Sequence, residues 1–217
     1  MILRLKNIFS TCIDWIFPPR HDERMIAQFT EKEIFSLPKA YDNLPDHTHA
    51  LFSYKDKRVT ALVWEIKYHK NNKALSLVLP LLADLIQDEY AERALFNSWN
   101  HCILVPIPST DAHVQKRGYA HTQYICEKLI SLLPRSITYA PSALIKTKHT
   151  RAQHKLKDRK ARLTNLNGVF SVNHTLPPHT AIILIDDVTT TGATLTEARR
   201  ALTEAGAKDI LAFTIAH

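Results

Sequence analysis

The sequence predicts an α/β fold, a mainly parallel sheet flanked by helices, with a short helical extension at its N-terminus. Three observations carry this. Apolar runs of strand length (CILVPI at 102–107, AIILI at 181–185, ILAFTIA at 210–216) alternate with segments whose apolar residues recur at helical spacing, the pattern of parallel strands joined by crossover helices. AIILI runs straight into two carboxylates, Asp186 and Asp187, then into a turn rich in threonine, and only afterwards does an amphipathic pattern resume. The chain has four glycines, Gly118, Gly168, Gly192 and Gly206, each at a boundary between predicted elements.

Taken in order, Leu5, Ile8, Phe9, Cys12, Ile13, Ile16 and Phe17 recur on one helical face, and Pro18 and Pro19 end the stretch. Its polar face is not basic enough for a membrane-surface helix, so docking on its own domain or on a partner is expected. Residues 1–55 are read as an accessory segment and 56–217 as the main domain. DKRVTALVWEIKYHK predicts a helix on Val59, Leu62, Val63 and Ile66. LSLVLPLLADLIQDEYAERAL predicts another, with Pro80 near its first turn, where a missing N–H is tolerated. CILVPI reads as a buried strand, and YAHTQYICEKLISLL as a helix with a stripe of Ile125, Cys126, Leu129, Leu132 and Leu133. SALIKT and NGVFSV are further strands; AIILI is the strongest strand, TLTEARRALTEA a helix with Gly206 at its end, and ILAFTIA the last strand.

At 217 residues the chain can bury a core without staples. Cys12, Cys102 and Cys126 are far apart with no C-x-x-C pair, which excludes a disulfide framework or zinc knuckle and suits a reducing, cytoplasmic setting. No uninterrupted apolar run reaches the ~18 residues of a membrane span. The formal charge of +7 is concentrated: from Lys146 to Arg162 there are eight Lys or Arg against one Asp, so the remainder of the chain sums to zero. Charge confined to seventeen residues is a local device for meeting an anion.

In open parallel sheets ligands sit beyond the carboxyl ends of the strands, and Asp186 and Asp187 stand at such an end. Thr189, Thr190, Thr191, Gly192, Ala193 and Thr194 follow. Backbone N–H groups there, with the helix dipole, suit a phosphate; Gly192 permits close backbone approach. Two carboxylates beside a phosphate pocket make sense when the ligand places hydroxyls between them, as a ribose does. Together they describe a cradle for ribose 5-phosphate. A plain helix cap is the competing reading, since Thr194-x-x-Glu197 has the spacing of a capping box. That cap requires neither the acid pair nor Gly192. A phosphorelay receiver would carry its acid pair near the domain start, and no G-x-x-x-x-G-K-[ST] loop occurs.

IILIDDVTTTGATL closely resembles the phosphoribosyl-diphosphate motif of type I phosphoribosyltransferases. Further segments, in order, resemble the competence-associated ComF branch: YKDKRVTALVWEIKYHKN, ILVPIPS, KRGYAHTQ, TRAQHKLKDRKARLTNLNGVF and the last strand. The resemblance covers about residues 50 to 217 and implies the type I phosphoribosyltransferase fold. It implies that Asp186 and Asp187 hold ribose hydroxyls, that residues 189–194 hold the 5-phosphate, and that Ser109, Thr110, Lys116, Arg117 and Gly118 lie on the diphosphate side. It makes the basic run a hood loop, with Arg151, Gln153, Arg159 and Arg162 as candidates to stabilise the leaving diphosphate, Arg151 and Arg159 in catalytic roles. Magnesium is expected with the diphosphate, contacting the protein little, and no protein metal ligand is assigned. Lys67 matches a basic position of the family but is read as a solvated helix face and left out of the site.

Two function classes follow from the resemblance. One is a phosphoribosyltransferase of nucleotide metabolism with an unknown acceptor. The other is a competence factor binding phosphoribosyl diphosphate or a related ligand, serving DNA uptake with a competence helicase or other uptake proteins. Its basic run, with Tyr119 or Tyr124 for stacking, would meet single-stranded DNA. The sequence also departs from the family. IFPPR is followed by His21 and the four zinc cysteines are not filled, so no structural zinc is expected. Thr190 stands where purine-salvage members carry an Asp base, and threonine cannot serve as one at neutral pH, which disfavours purine salvage.

Overall fold

The structure is a computed structural model that describes residues 20–40, 44–96, 99, 101–110, 114–115, 117–147, 168–173, 176–177 and 180–217. The predicted amphipathic helix at 5–17, Cys12, Lys116, and the hood candidates Arg151, Gln153, Arg159 and Arg162 lie outside the described residues.

The elements run α1 (His21–Gln28), α2 (Glu31–Phe35), β1 (Thr48–Phe52), α3 (Lys57–His69), α4 (Asn72–Phe96), β2 (Cys102–Pro106), α5 (His121–Leu129), β3 (Ile137–Tyr139), β4 (Leu144–Lys146), β5 (Phe170–Val172), β6 (Thr180–Val188), α6 (Ala193–Glu204) and β7 (Ala207–Ala216). A five-stranded sheet has the order β1-β7-β6-β2-β3, every neighbouring pair parallel. The expected parallel sheet flanked by helices is therefore what the chain forms. β6 is its centre: nine residues, all buried but the last, apolar on both faces as a doubly covered strand requires.

Alternation along β6 and β2 separates two cores. Ile183, Ile185, Cys102 and Leu104 face one core with residues of α1 to α5, whereas Ile182, Leu184 and Val105 face the other with α6, β4 and β5. The chain leaves β2 for α5 on the first face and leaves β6 for α6 on the second. The gap between the ends of β2 and β6 is thus a topological switch point, where open sheets place their ligands. α3 is anchored from the N-terminal side by Arg20, whose guanidinium grips the buried Glu65 carboxylate at 3.1–3.2 Å, and Asn71 Nδ2 donates to the same group at 2.8 Å.

Several expectations change. SALIKT and NGVFSV do form strands, but β4 and β5 pair antiparallel with each other, outside the main sheet. β1 and β3 were not foreseen: they are edge strands of five and three residues, and neither forms an apolar run. β1 falls within the segment set apart as residues 1–55, so the main sheet begins before residue 56. Pro80 lies in the interior of α4, because the helix starts at Asn72 and buries Ala74, Leu75, Val78 and Leu79 before the proline is reached. Leu132 leaves the stripe of α5, since a 3₁₀ turn at Ile130–Leu132 ends the helix and leaves it 44% exposed. No helix among the described residues is long and apolar enough to cross a membrane.

Candidate functional site

Asp186 and Asp187 lie inside β6 rather than beyond it, and both are buried. Because successive side chains on a strand point to opposite faces, Asp186 follows Ile182 and Leu184 toward α6, and Asp187 follows Ile183 and Ile185 toward α3 and α5. Their carboxylates still come close: ligand atoms of Asp186, Asp187 and His121 all lie within 4.8 Å of one another.

On the Asp186 side the chain turns through residues 189–192 into α6. Gly192 is the N-cap residue with φ +73°, a left-handed conformation that disfavours a side chain, and a Cβ there would stand 2.5 Å from Pro45 Cγ. A small cavity of about 40 Å³ is lined by Asp186 and residues 188–194. The amides of the first turn of α6 have no acceptor within the helix and converge with its dipole at this end. Thr189 is different: its N–H donates to Ala216 O at 3.0 Å, so that amide is spent on β7. The expected capping box at Thr194 and Glu197 does not form. α6 begins at Ala193, which places Glu197 too deep to reach back; its carboxylate instead accepts the Gly168 N–H at 2.6 Å and pairs with Arg200 at 2.8 Å. That bond ties Gly168, which follows the basic run, to the helix after the 189–192 turn.

On the Asp187 side two nitrogen-bearing side chains meet one oxygen. Lys67, from α3, contacts Asp187 Oδ2, and His121 Nε2 lies 3.5 Å from the same atom. Neither contact has hydrogen-bond alignment. Arg117 Nη1 lies 2.9 Å from His121 Nδ1 while its guanidinium covers the Tyr68 ring at 4.8 Å, and Ser109 Oγ lies 3.3 Å from Nδ1. A guanidinium only donates, so Nδ1 accepts and the ring proton sits on Nε2, facing Asp187.

The two acids are shifted in opposite directions. Burial, and then the Asp187 charge beside it, push the Asp186 carboxyl well above the usual carboxylate range. Burial would raise Asp187 too, but Lys67 and His121 outweigh it and hold that carboxyl well below the range. Burial alone would lower the Lys67 ammonium, yet Asp187 and, behind it, Asp186 keep it above its ordinary value. The donor set does not fit a divalent ion held by the protein. Lys67 already occupies Asp187, His121 presents a proton to it, and magnesium prefers six oxygens.

The structure therefore brings Ser109, Arg117, Asp186, Asp187 and the 189–194 turn to one switch point, with Gly118 directly after Arg117 at φ +79°. It adds two residues that the sequence reading missed. Lys67 is not a solvated face: its side chain is 24% exposed and faces Asp187. The signal was present, since Lys67 stands four residues after buried Val63 and next to buried Ile66. His121 likewise stands four before Ile125, on the buried stripe of α5. A cavity of about 450 Å³ runs from Ser109 and Thr110 to Lys146 and Thr147. Lys146 is the first residue of the basic run; burial lowers its ammonium despite Asp186 nearby.

No family model matches the chain. Over 115 residues it is 30% identical to Competence protein F of Haemophilus influenzae, a match covering 52% of this chain and 49% of that protein. The chain thus spans about half the length of the curated relative it matches. Among solved structures it is similar to a hypoxanthine phosphoribosyltransferase from Staphylococcus aureus, at 11% identity over 63% of each chain with a TM-score of 0.36. It is also similar to Trypanosoma cruzi hypoxanthine phosphoribosyl transferase, at 12% identity over 82% of this chain and 71% of that one with a TM-score of 0.39. Likeness of that degree says nothing about residues or ligands. The match to Competence protein F is consistent with the ComF-type, phosphoribosyltransferase-like resemblance of the ordered motifs.

Proposed function

We propose that this chain binds phosphoribosyl diphosphate or a closely related phosphoribosyl ligand at the switch point between β2 and β6. The observation that carries the reading is the small cavity whose wall is Asp186 and residues 188–194. It is small enough to suit a compact anion, it lies at a helix N-terminus, and a second acid, Asp187, brings a ligand atom within 4.8 Å of one on Asp186. In this reading Thr190, Thr191, Gly192, Ala193 and Thr194 hold the 5-phosphate, with Thr189 contributing its position rather than its amide. Asp186, protonated, donates to one ribose hydroxyl, and Asp187, ionised, accepts from another. Ser109, Arg117 and Gly118 lie on the diphosphate side. Magnesium would travel on the ligand's own diphosphate oxygens, since the protein's donors do not fit it.

Transfer of the phosphoribosyl group to an acceptor would require positive charge over the departing diphosphate, the role proposed for Arg151 and Arg159 of the basic run. The relative's name motivates the physiological side of the proposal: a part in DNA uptake during competence, in the cytoplasm, with single-stranded DNA and uptake proteins as partners. The cluster of eight cations in seventeen residues favours a phosphate-backbone partner as a second reading of the same run.

Calorimetric titration with phosphoribosyl diphosphate, with and without magnesium, tests the binding. Wild type should bind and the Asp186→Asn, Asp187→Asn double variant should not; absence of binding to wild type overturns the proposal. Pyrophosphate release on adding candidate acceptors separates an enzyme from a binding protein. Affinity for oligonucleotides that falls steeply with salt marks the DNA reading.

A further inference from the structure

We infer that Lys67 is a ligand-binding residue, which balances Asp187 and reaches the diphosphate that a phosphoribosyl ligand carries at C1. This rests on the phosphoribosyl reading above and extends it to a residue from a third element, α3, read from the sequence as a solvated face and left out of the site.

Geometry places it there. The two acids divide the strand end: Asp186 shares a cavity with the 5-phosphate turn, whereas Asp187 faces α3 and α5. A phosphoribosyl group is elongated, with the 5-phosphate at one end of the sugar, C1 at the other and the hydroxyls between. With its phosphate in the turn and its hydroxyls across the acids, C1 arrives on the Asp187 side. Three donor-bearing side chains converge there, Lys67, His121 and Arg117, and Ser109 joins them through His121 Nδ1.

The chemistry of the ammonium supports the same assignment. Lysine carries three donors, and among the described residues Lys67 has one direct ion-pair partner, Asp187. Its side chain is only 24% exposed, so little water is on hand for the other two. A cation held half-satisfied beside a carboxylate is retained at little cost when an anionic ligand completes its shell. When a diphosphate arrives, the Lys67 ammonium can span the ligand and the acid, and the Nε2–H of His121 remains to hold Asp187 ionised.

The test is a set of titrations with three probes, phosphoribosyl diphosphate, ribose 5-phosphate and inorganic pyrophosphate, on wild type, Lys67→Met and Lys67→Arg. Losing a charge-assisted contact to the diphosphate should weaken phosphoribosyl diphosphate and pyrophosphate about tenfold or more, and ribose 5-phosphate less than about threefold. Lys67→Arg should recover part of the loss. An equal loss for ribose 5-phosphate, or no loss for any probe, overturns the inference. Should Lys67→Met fold poorly because Asp187 loses its counter-ion, the same comparison is made between Asp187→Asn and the Lys67→Met, Asp187→Asn double variant. There no uncompensated acid remains and the tenfold selective loss is still expected; its absence overturns the inference. Wild type that binds none of the probes overturns the phosphoribosyl reading itself, and the role of Lys67 with it, an outcome distinct from a loss confined to the variants.

Discussion

Asp186 and Asp187 share a peptide bond, a strand and a buried setting, yet their surroundings differ in almost every respect. Asp186 has no ion-pair partner among the described residues: it sits above the core that α6 covers, accepts the Asp187 N–H at 2.9 Å, and is driven toward its neutral form. Asp187 looks across the sheet at Lys67 and His121 and stays ionised. Two identical carboxyl groups one residue apart are thus shifted in opposite directions, because the pleat sends them to faces built from different helices. In the proposed function that split lets one donate to a ligand hydroxyl and the other accept from one.

The largest expected effect tests that split directly. Asp187→Asn strands the Lys67 ammonium and should cost about 3 kcal/mol in urea unfolding, the usual scale for breaking a buried pair. Asp186→Asn keeps an acceptor for the Asp187 amide and should cost no more than about 0.5 kcal/mol. Equal losses would erase the contrast. Adding Lys67→Met to Asp187→Asn should cost less than the sum of the single changes by at least about 1 kcal/mol, because the two groups are partners.

The pH dependence sharpens the same comparison. The depressed Asp187 carboxyl contributes stability that is complete above the unfolded value of about 4 and is lost as pH falls through the folded value. The gap between wild type and Asp187→Asn should therefore close on acidification below about pH 4. Asp186 has the reverse sign: its raised carboxyl makes ionisation costly in the folded state, so wild type should lose ground to Asp186→Asn as pH climbs above about 4. Thermal melts of the three proteins across this range measure both trends.

Two smaller effects belong to the Asp186 side. Gly192→Ala forces a side chain onto a left-handed φ and against Pro45 Cγ, and should lower stability by about 1–3 kcal/mol. Glu197→Ala removes the acceptor of the Gly168 N–H, and about 1 kcal/mol should be lost in the same unfolding assay.

Much of this was legible beforehand. The long apolar run of β6, the turn at residues 189–192 and the helix after it are local features, written in periodicity and turn chemistry, and they lead to the Asp186 side of the site. The Asp187 side was not. Lys67 lies 120 residues upstream of the acid by number and His121 lies in a third segment; Lys67 reads as a solvated face and His121 draws no reading, because their partner arrives only when α3 and α5 pack on the sheet. Edge strands β1 and β3 escaped for a related reason: they are short and lack the apolar run that marked the central strands.

The sequence by itself determined the α/β class, the central strands, the threonine-rich turn with Gly192 and the two acids as the chemical focus, because each is written in local sequence pattern. Only the tertiary structure decided which acid is favoured in its charged form. That balance in a buried site depends on what crosses the fold to meet it, and here a helix from the first half of the chain delivers its ammonium to Asp187, not to Asp186.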